Sequence, residues 1–168
     1  MAWKAIAYNS TKRVLPIWDS NSLNFMPSNT DLLVPENDEP LLIMDMGGVI
    51  RNRPNPFKLP TNPDKNYIDF GLIWGEDIID LIMSDRGRVI LPLRNLQGLR
   101  ELDAALAYAE DITIGIDWSN VVEAQHSDFS IDIVDLLKKL HRRGQTDILF
   151  YSLTGECPYI PAGMNANF

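Results

Sequence analysis

Residues 88–153 alternate between short apolar runs and amphipathic stretches, and this alternation constrains the fold more than any other feature of the chain. The run 88–93 (RVILPL) leads into helical spacing over 95–110, where Leu96, Leu99, Leu102, Ala105 or Leu106, and Ala109 recur three or four residues apart. The run 111–117 (DITIGID) precedes the clearest helix, 128–143, and 146–153 (TDILFYSL) closes the series. Apolar strands separated by helices of this length predict a parallel sheet with crossover helices. The expected fold class is α/β: a single domain over 1–168, a mixed sheet with a parallel βαβαβ core (88–153), and helices packed on it. A chain of 168 residues suits one such domain.

The helix at 128–143 carries its own end signals. Ser127, Asp128 or Ser130 can cap it. Asp132 and Asp135 stand near its start, Lys138, Lys139, His141, Arg142 and Arg143 near its end, and Gly144 follows. Acids first and bases last is the order the helix dipole favours. Ile133, Leu136, Leu137 and Leu140 form its apolar stripe.

The N-terminal part is less regular. Residues 2–8 predict a first strand, and 14–18 an edge strand at best, because Pro16 lacks a ladder N–H. Residues 19–40 are an irregular loop containing the apolar piece 32–34. Residues 41–46 (LLIMDM) predict a buried strand that Gly47-Gly48 ends or bends and that Val49-Ile50 can continue. Four prolines, at 54, 56, 60 and 63, make 51–66 an extended loop. Residues 67–74 predict a strand and 76–85 a short helix, with Ile78, Ile79, Ile82 and Met83 on one face and Glu76, Asp77, Asp80 and Asp85 mostly on the other. The tail, 154–168, has no periodicity, although Tyr159, Ile160 and Phe168 can dock on the body.

With 23 acidic against 15 basic residues the formal charge is −8. That balance disfavours nucleic acid and anionic membrane surfaces as partners. It suits a basic protein reached by electrostatic steering. A single cysteine, Cys157, excludes an intrachain disulfide framework and fits a reducing compartment. Residues 1–8 lack a signal-peptide pattern, and no window approaches the length of a spanning helix. The expected location is cytoplasmic.

Asp45 is the leading candidate for chemistry. It ends a buried strand and precedes Gly-Gly, at the end of the strand where open α/β sheets bind ligands. The stretch LLIMDMGGVI resembles motif I of the haloacid dehalogenase superfamily, and 135–154 resembles the helix and strand that end in that family's motif II hydroxyl, here Ser152. The resemblance implies phosphoryl transfer through an aspartyl intermediate on Asp45, with Ser152 holding the phosphate and Mg²⁺ as cofactor. The chain departs from the family at Gly47, where most of its phosphatases have a second Asp, and it has no Lys and a single acid, Glu156, after Ser152. If all three strands are parallel, Asp45, Asp117 and Ser152 share one rim. His126 and His141 are too far apart for a local metal motif, and Cys157 has no CxxC partner.

The acids are distributed. Glu36, Asp38 and Glu39 share a loop; Glu76, Asp77, Asp80 and Asp85 share a helix; Glu123 and Asp128 flank the loop before the last helix, and the turn of Asp117, Trp118, Ser119 and Asn120 follows a core strand. The reading these features favour is a non-enzymatic cytosolic binding protein that masks a basic partner, as immunity proteins do toxins. Its contact residues are then Glu76, Asp77, Asp80, Asp85, Asp117, Trp118, Glu123 and Asp128, with no metal or other cofactor. The alternative is a phosphotransferase or phosphatase using Asp45, Ser152 and Mg²⁺.

Overall fold

Nine strands form one sheet among the residues that the computed structural model describes, 4–31 and 41–160. The apolar piece 32–34, the acids Glu36, Asp38 and Glu39, and Phe168 lie outside those residues. The strands are β1 (Lys4–Asn9), β2 (Lys12–Asp19), β3 (Asn24–Asp31), β4 (Leu41–Asp45), β5 (Asn66–Asp69), β6 (Arg88–Pro92), β7 (Thr113–Trp118), β8 (Val122–Glu123) and β9 (Ile148–Ser152). The helices are α1 (Met46–Arg51), α2 (Ile78–Met83), α3 (Leu99–Tyr108) and α4 (Ile133–His141).

The parallel part is larger than the 88–153 core. β1, β4, β5, β6, β7 and β9 are parallel neighbours in that order. β2 and β3 extend the sheet beyond β1 as an antiparallel hairpin, and β8 pairs antiparallel with the end of β7. Each parallel strand is added on the same side of its predecessor. Right-handed crossovers then put α2, α3 and α4 on one face, the sheet curls around the other, and α1 packs on the concave side against β1 and β3. Phe25 of β3 and Tyr151 of β9, from opposite ends of the strand order, bring their rings to 6.0 Å. The larger core lies under the helices and includes Ile43, Ile68, Leu91, Ile116, Leu102, Leu136 and Leu140. A smaller one fills the concave side, with Ala7, Val14, Phe25, Met44, Val49, Ile90 and Leu149.

Several expectations are corrected. The strand at 41–46 stops at Asp45, and Gly47 to Ile50 are helical. The glycines serve close packing there: a Cβ on Gly48 would lie 1.9 Å from the Phe70 carbonyl oxygen. The loop at 19–40 contains β3, whose pairing to β2 overrides its polar composition and Pro27. The strand at 67–74 is only Asn66–Asp69. The last helix begins at Ile133, capped by Asp132, whose Oδ1 accepts from the Val134 N–H at 2.9 Å. Asp128 caps α3 instead, accepting from the Leu99 N–H at 2.9 Å.

The α2 faces also differ. A 3-10 turn at Gly75–Asp77 feeds the helix, so the buried positions fall at Gly75, Ile78 and Leu81. The three-residue period of that turn sets the helix's rotation. Ile79, Ile82 and Met83 therefore stand outside, among the acids.

Gly48→Ala should destabilise the protein by at least about 2 kcal/mol, because the new methyl group meets backbone rather than a side chain that can swing away. Thermal unfolding checks this; an unchanged melting temperature would show that α1 does not press on the end of β5.

Candidate functional site

Alternate residues of a strand face the concave side. On β6 these are Ile90 and Pro92, and the same alternation carried two residues further points Arg94 inward. Asp69, Asp117 and Tyr151 occupy inward positions on β5, β7 and β9, and all four side chains meet. Arg94 grips Asp117 with two bonds, Nε to Oδ2 at 2.9 Å and Nη2 to Oδ1 at 3.0 Å. Its Nη1 donates to Asp69 Oδ2 at 3.0 Å. The Tyr151 hydroxyl donates to the same oxygen at 3.0 Å, and the Gly71 N–H donates to Asp69 Oδ1 at 2.8 Å. The guanidinium also lies 4.8 Å from the Phe25 ring centroid and 5.1 Å from that of Tyr151. Gly115 leaves room for this, since a Cβ there would be 2.8 Å from Tyr151 Cε2.

Arg94 and Asp69 are fully buried and Asp117 is 1% exposed. Burial works against the Arg94 charge, but Asp117 and Asp69 outweigh it and raise the guanidinium pKa. Burial lifts Asp117 to about 6; Arg94 opposes the rise, while Asp69 and Glu123 add to it. Burial, and then the charge of Asp69, hold the Tyr151 hydroxyl well above its usual value. Every donor and acceptor named is satisfied within the cluster, which makes it a sealed strut.

The residues singled out on the rim do not assemble. Asp117 faces the concave side, whereas Asp45 and Ser152 have the opposite strand parity, and β5, β6 and β7 separate β4 from β9. The parallel strands from β4 to β9 are added in one direction, and the order of the sheet reverses only between β1 and β4, away from Asp117 and Ser152. Both Asp45 oxygens accept backbone N–H groups, from Gly47 at 2.9 Å and Asn55 at 2.7 Å. Ser152 is exposed and donates to the Glu156 carbonyl at 2.7 Å. No group of three or more His, Cys, Asp or Glu residues suited to a metal occurs among the described residues.

Other candidates have local partners. Glu123 accepts from the Ser119 hydroxyl, Trp118 is half-buried against the outer core, and Asp128 is the cap of α3. His126 is half-buried beside Phe129, while His141 and Cys157 are exposed.

Glu76, Asp77, Asp80 and Asp85 do share an outward surface with apolar side chains. Trp74 is 46% exposed, Ile79 39%, Ile82 41% and Met83 79%. Partial burial raises the Asp77 pKa, and Glu76, Asp80 and Glu101 raise it further. The signal for this surface was the apolar count of 78–83, which exceeds what one face of a short helix can bury. The signal for the strut was a charge inside each of three apolar stretches, at Asp69, Arg94 and Asp117.

Comparison with protein-family models gave no match, and comparison with curated proteins gave none. No helix among the described residues is long and apolar enough to cross a membrane.

Two measurements test the strut. Arg94→Met leaves two buried carboxylates without their cation and should cost about 3–5 kcal/mol in chemical denaturation; a loss below about 1 kcal/mol would contradict the account. For Asp117 the folded pKa lies above the unfolded one. Its contribution to stability is therefore full below the unfolded value and is lost as pH rises through about 6. The stability of the wild type relative to Asp117→Asn should fall from acid to neutral pH. A difference independent of pH would contradict the assignment.

Proposed function

We propose that the chain is a non-enzymatic cytoplasmic binding protein that masks a basic protein partner with the outward surface of α2. Proteins that neutralise toxins inside the cell that makes them are of this kind. The observation that carries the reading is the mixture on one short helix: Ile79, Ile82 and Met83 exposed between Glu76, Asp77 and Asp80. Exposed apolar groups rimmed by charge are the usual composition of a protein-binding surface. Each part has a separate role. Removing apolar area from water supplies affinity, at about 25 cal/mol per Å². Carboxylates around it supply steering and reject acidic competitors. The overall charge of −8 works in the same direction.

The like-charge crowding around Asp77 adds support. A partner's cation beside Glu76, Asp77 and Asp80 relieves their repulsion, so binding gains energy that the free protein holds as strain.

The test is a comparison of two immobilised proteins exposed to lysate of the source cell at low and high salt. One is the wild type, the other Glu76→Lys/Asp77→Lys/Asp80→Lys. The wild type should retain a basic protein at low salt and release it at high salt. The triple variant should bind that protein at least about 10-fold more weakly. Equal retention by the two would remove α2 from the interface.

A further inference from the structure

Beyond the end of α2 lies a groove of about 360 Å³ between the C-terminal ends of α2 and α3 and the N-terminal ends of β6 and β7. Ile82, Val89, Tyr108 and Ile112 wall it, and Asp85, Glu110 and Asp111 stand around it, all three exposed. Arg88 also lines it, but its guanidinium lies over the Tyr67 ring at 5.5 Å. Among the described residues, no ion pair neutralises Asp85, Glu110 or Asp111.

The charges here are the reverse of what the helices call for. A helix's C-terminal end is the negative end of its dipole and favours bases. α4 follows the rule, with Lys138, Lys139 and His141 in its last turn. α2 and α3 have no basic residue in their last turns; Asp85 follows α2, ahead of Arg86 and Arg88, and Glu110 and Asp111 follow α3 with no base. Two negative helix ends and three carboxylates therefore stand around one groove against a single lining base, Arg88, which makes no ion pair with them. A local conflict of this kind marks a place where something other than folding sets the residues.

We infer that the groove receives a lysine or arginine side chain of the basic partner. Its aliphatic stem lies on Ile82, the exposed aliphatic side chain of the wall. Its charged head meets Asp85, Glu110 and Asp111 and the face of Tyr108, which is 58% exposed. The inference rests on the binding reading and deepens it, because Ile82 belongs both to the exposed surface of α2 and to the groove wall.

The experiment is an NMR titration of the whole ¹⁵N-labelled chain with a hexa-arginine peptide, and with hexa-citrulline as its uncharged analogue. Saturable shifts at the amides of Ile82, Asp85, Arg88 and residues 108–112, with arginine and not citrulline, are expected. The Glu110→Gln/Asp111→Asn variant should bind hexa-arginine about 10-fold more weakly and melt about 2 °C higher, since it removes the conflict at the end of α3. Shifts limited to 76–80, unweakened binding, or a melting temperature that is unchanged or lower would overturn the groove. The readings fail separately. Shifts at 76–80 alone overturn the groove and leave the α2 surface standing. Shifts in the groove, together with undiminished partner retention by the triple α2 variant, overturn the α2 surface alone.

Discussion

A guanidinium with no access to water has to be paired on every side, and Arg94 imposes that condition on the concave half of the protein. Its hydrogen-bond partners come from β5 and β7, and its faces are covered by Phe25 of the β2–β3 hairpin and by Tyr151 of β9. A one-residue slip of β7 would turn Asp117 toward the helices and leave Arg94 without its two-bonded partner. Buried ion pairs add little net stability, because desolvation offsets most of the attraction. The geometry of the cluster adds to the register that the apolar pattern already specifies, since its contacts fit one alignment of β5, β7 and β9. The curl follows from the same contacts, since Phe25 and Tyr151 meet across the concave side only when the sheet bends.

A filled concave side limits where the protein can meet other molecules. In curled parallel sheets the C-terminal ends of the strands are the usual place for a site. Here those ends carry the sealed strut, the α1 cap at Asp45 and the α3 cap at Asp128. The outer face beyond α3 and α4 is built differently. α2 is six residues long and is set by its 3-10 entry turn to bury only every third position. A short helix with that rotation cannot hide Ile79, Ile82 and Met83. The groove at its far end continues the same surface, with carboxylates beside helix ends that favour cations. Acidic and apolar groups thus accumulate on one side of the molecule.

The alternation over 88–153 was enough to place β6, α3, β7, α4 and β9, because strands buried on both faces and helices with one apolar stripe leave different spacings. Asp45 was legible as a strand end, and its capping role follows from the helix that starts one residue later. β3 was not legible, since Asn, Ser and Pro in an edge strand read as loop until the hairpin pairs them. The outward side of α2 was hidden for a different reason: helical spacing at 3.6 residues misplaces the stripe when a 3-10 turn sets the phase. Asp117 stood out by position, but its partner could not be named. Arg94 lies 23 residues away in sequence, and only the parallel register β6–β7 joins them.

The central claim, that α2 and the adjoining groove are the contact surface, is tested most directly by hydrogen–deuterium exchange. It would be measured on the protein alone and on its complex with the basic protein it retains at low salt. The account predicts new protection over 76–83 and 108–112, and unchanged exchange over 46–55 and 119–128. Protection over 46–55 or 119–128 with α2 unaffected, or no basic protein retained at all, would contradict it.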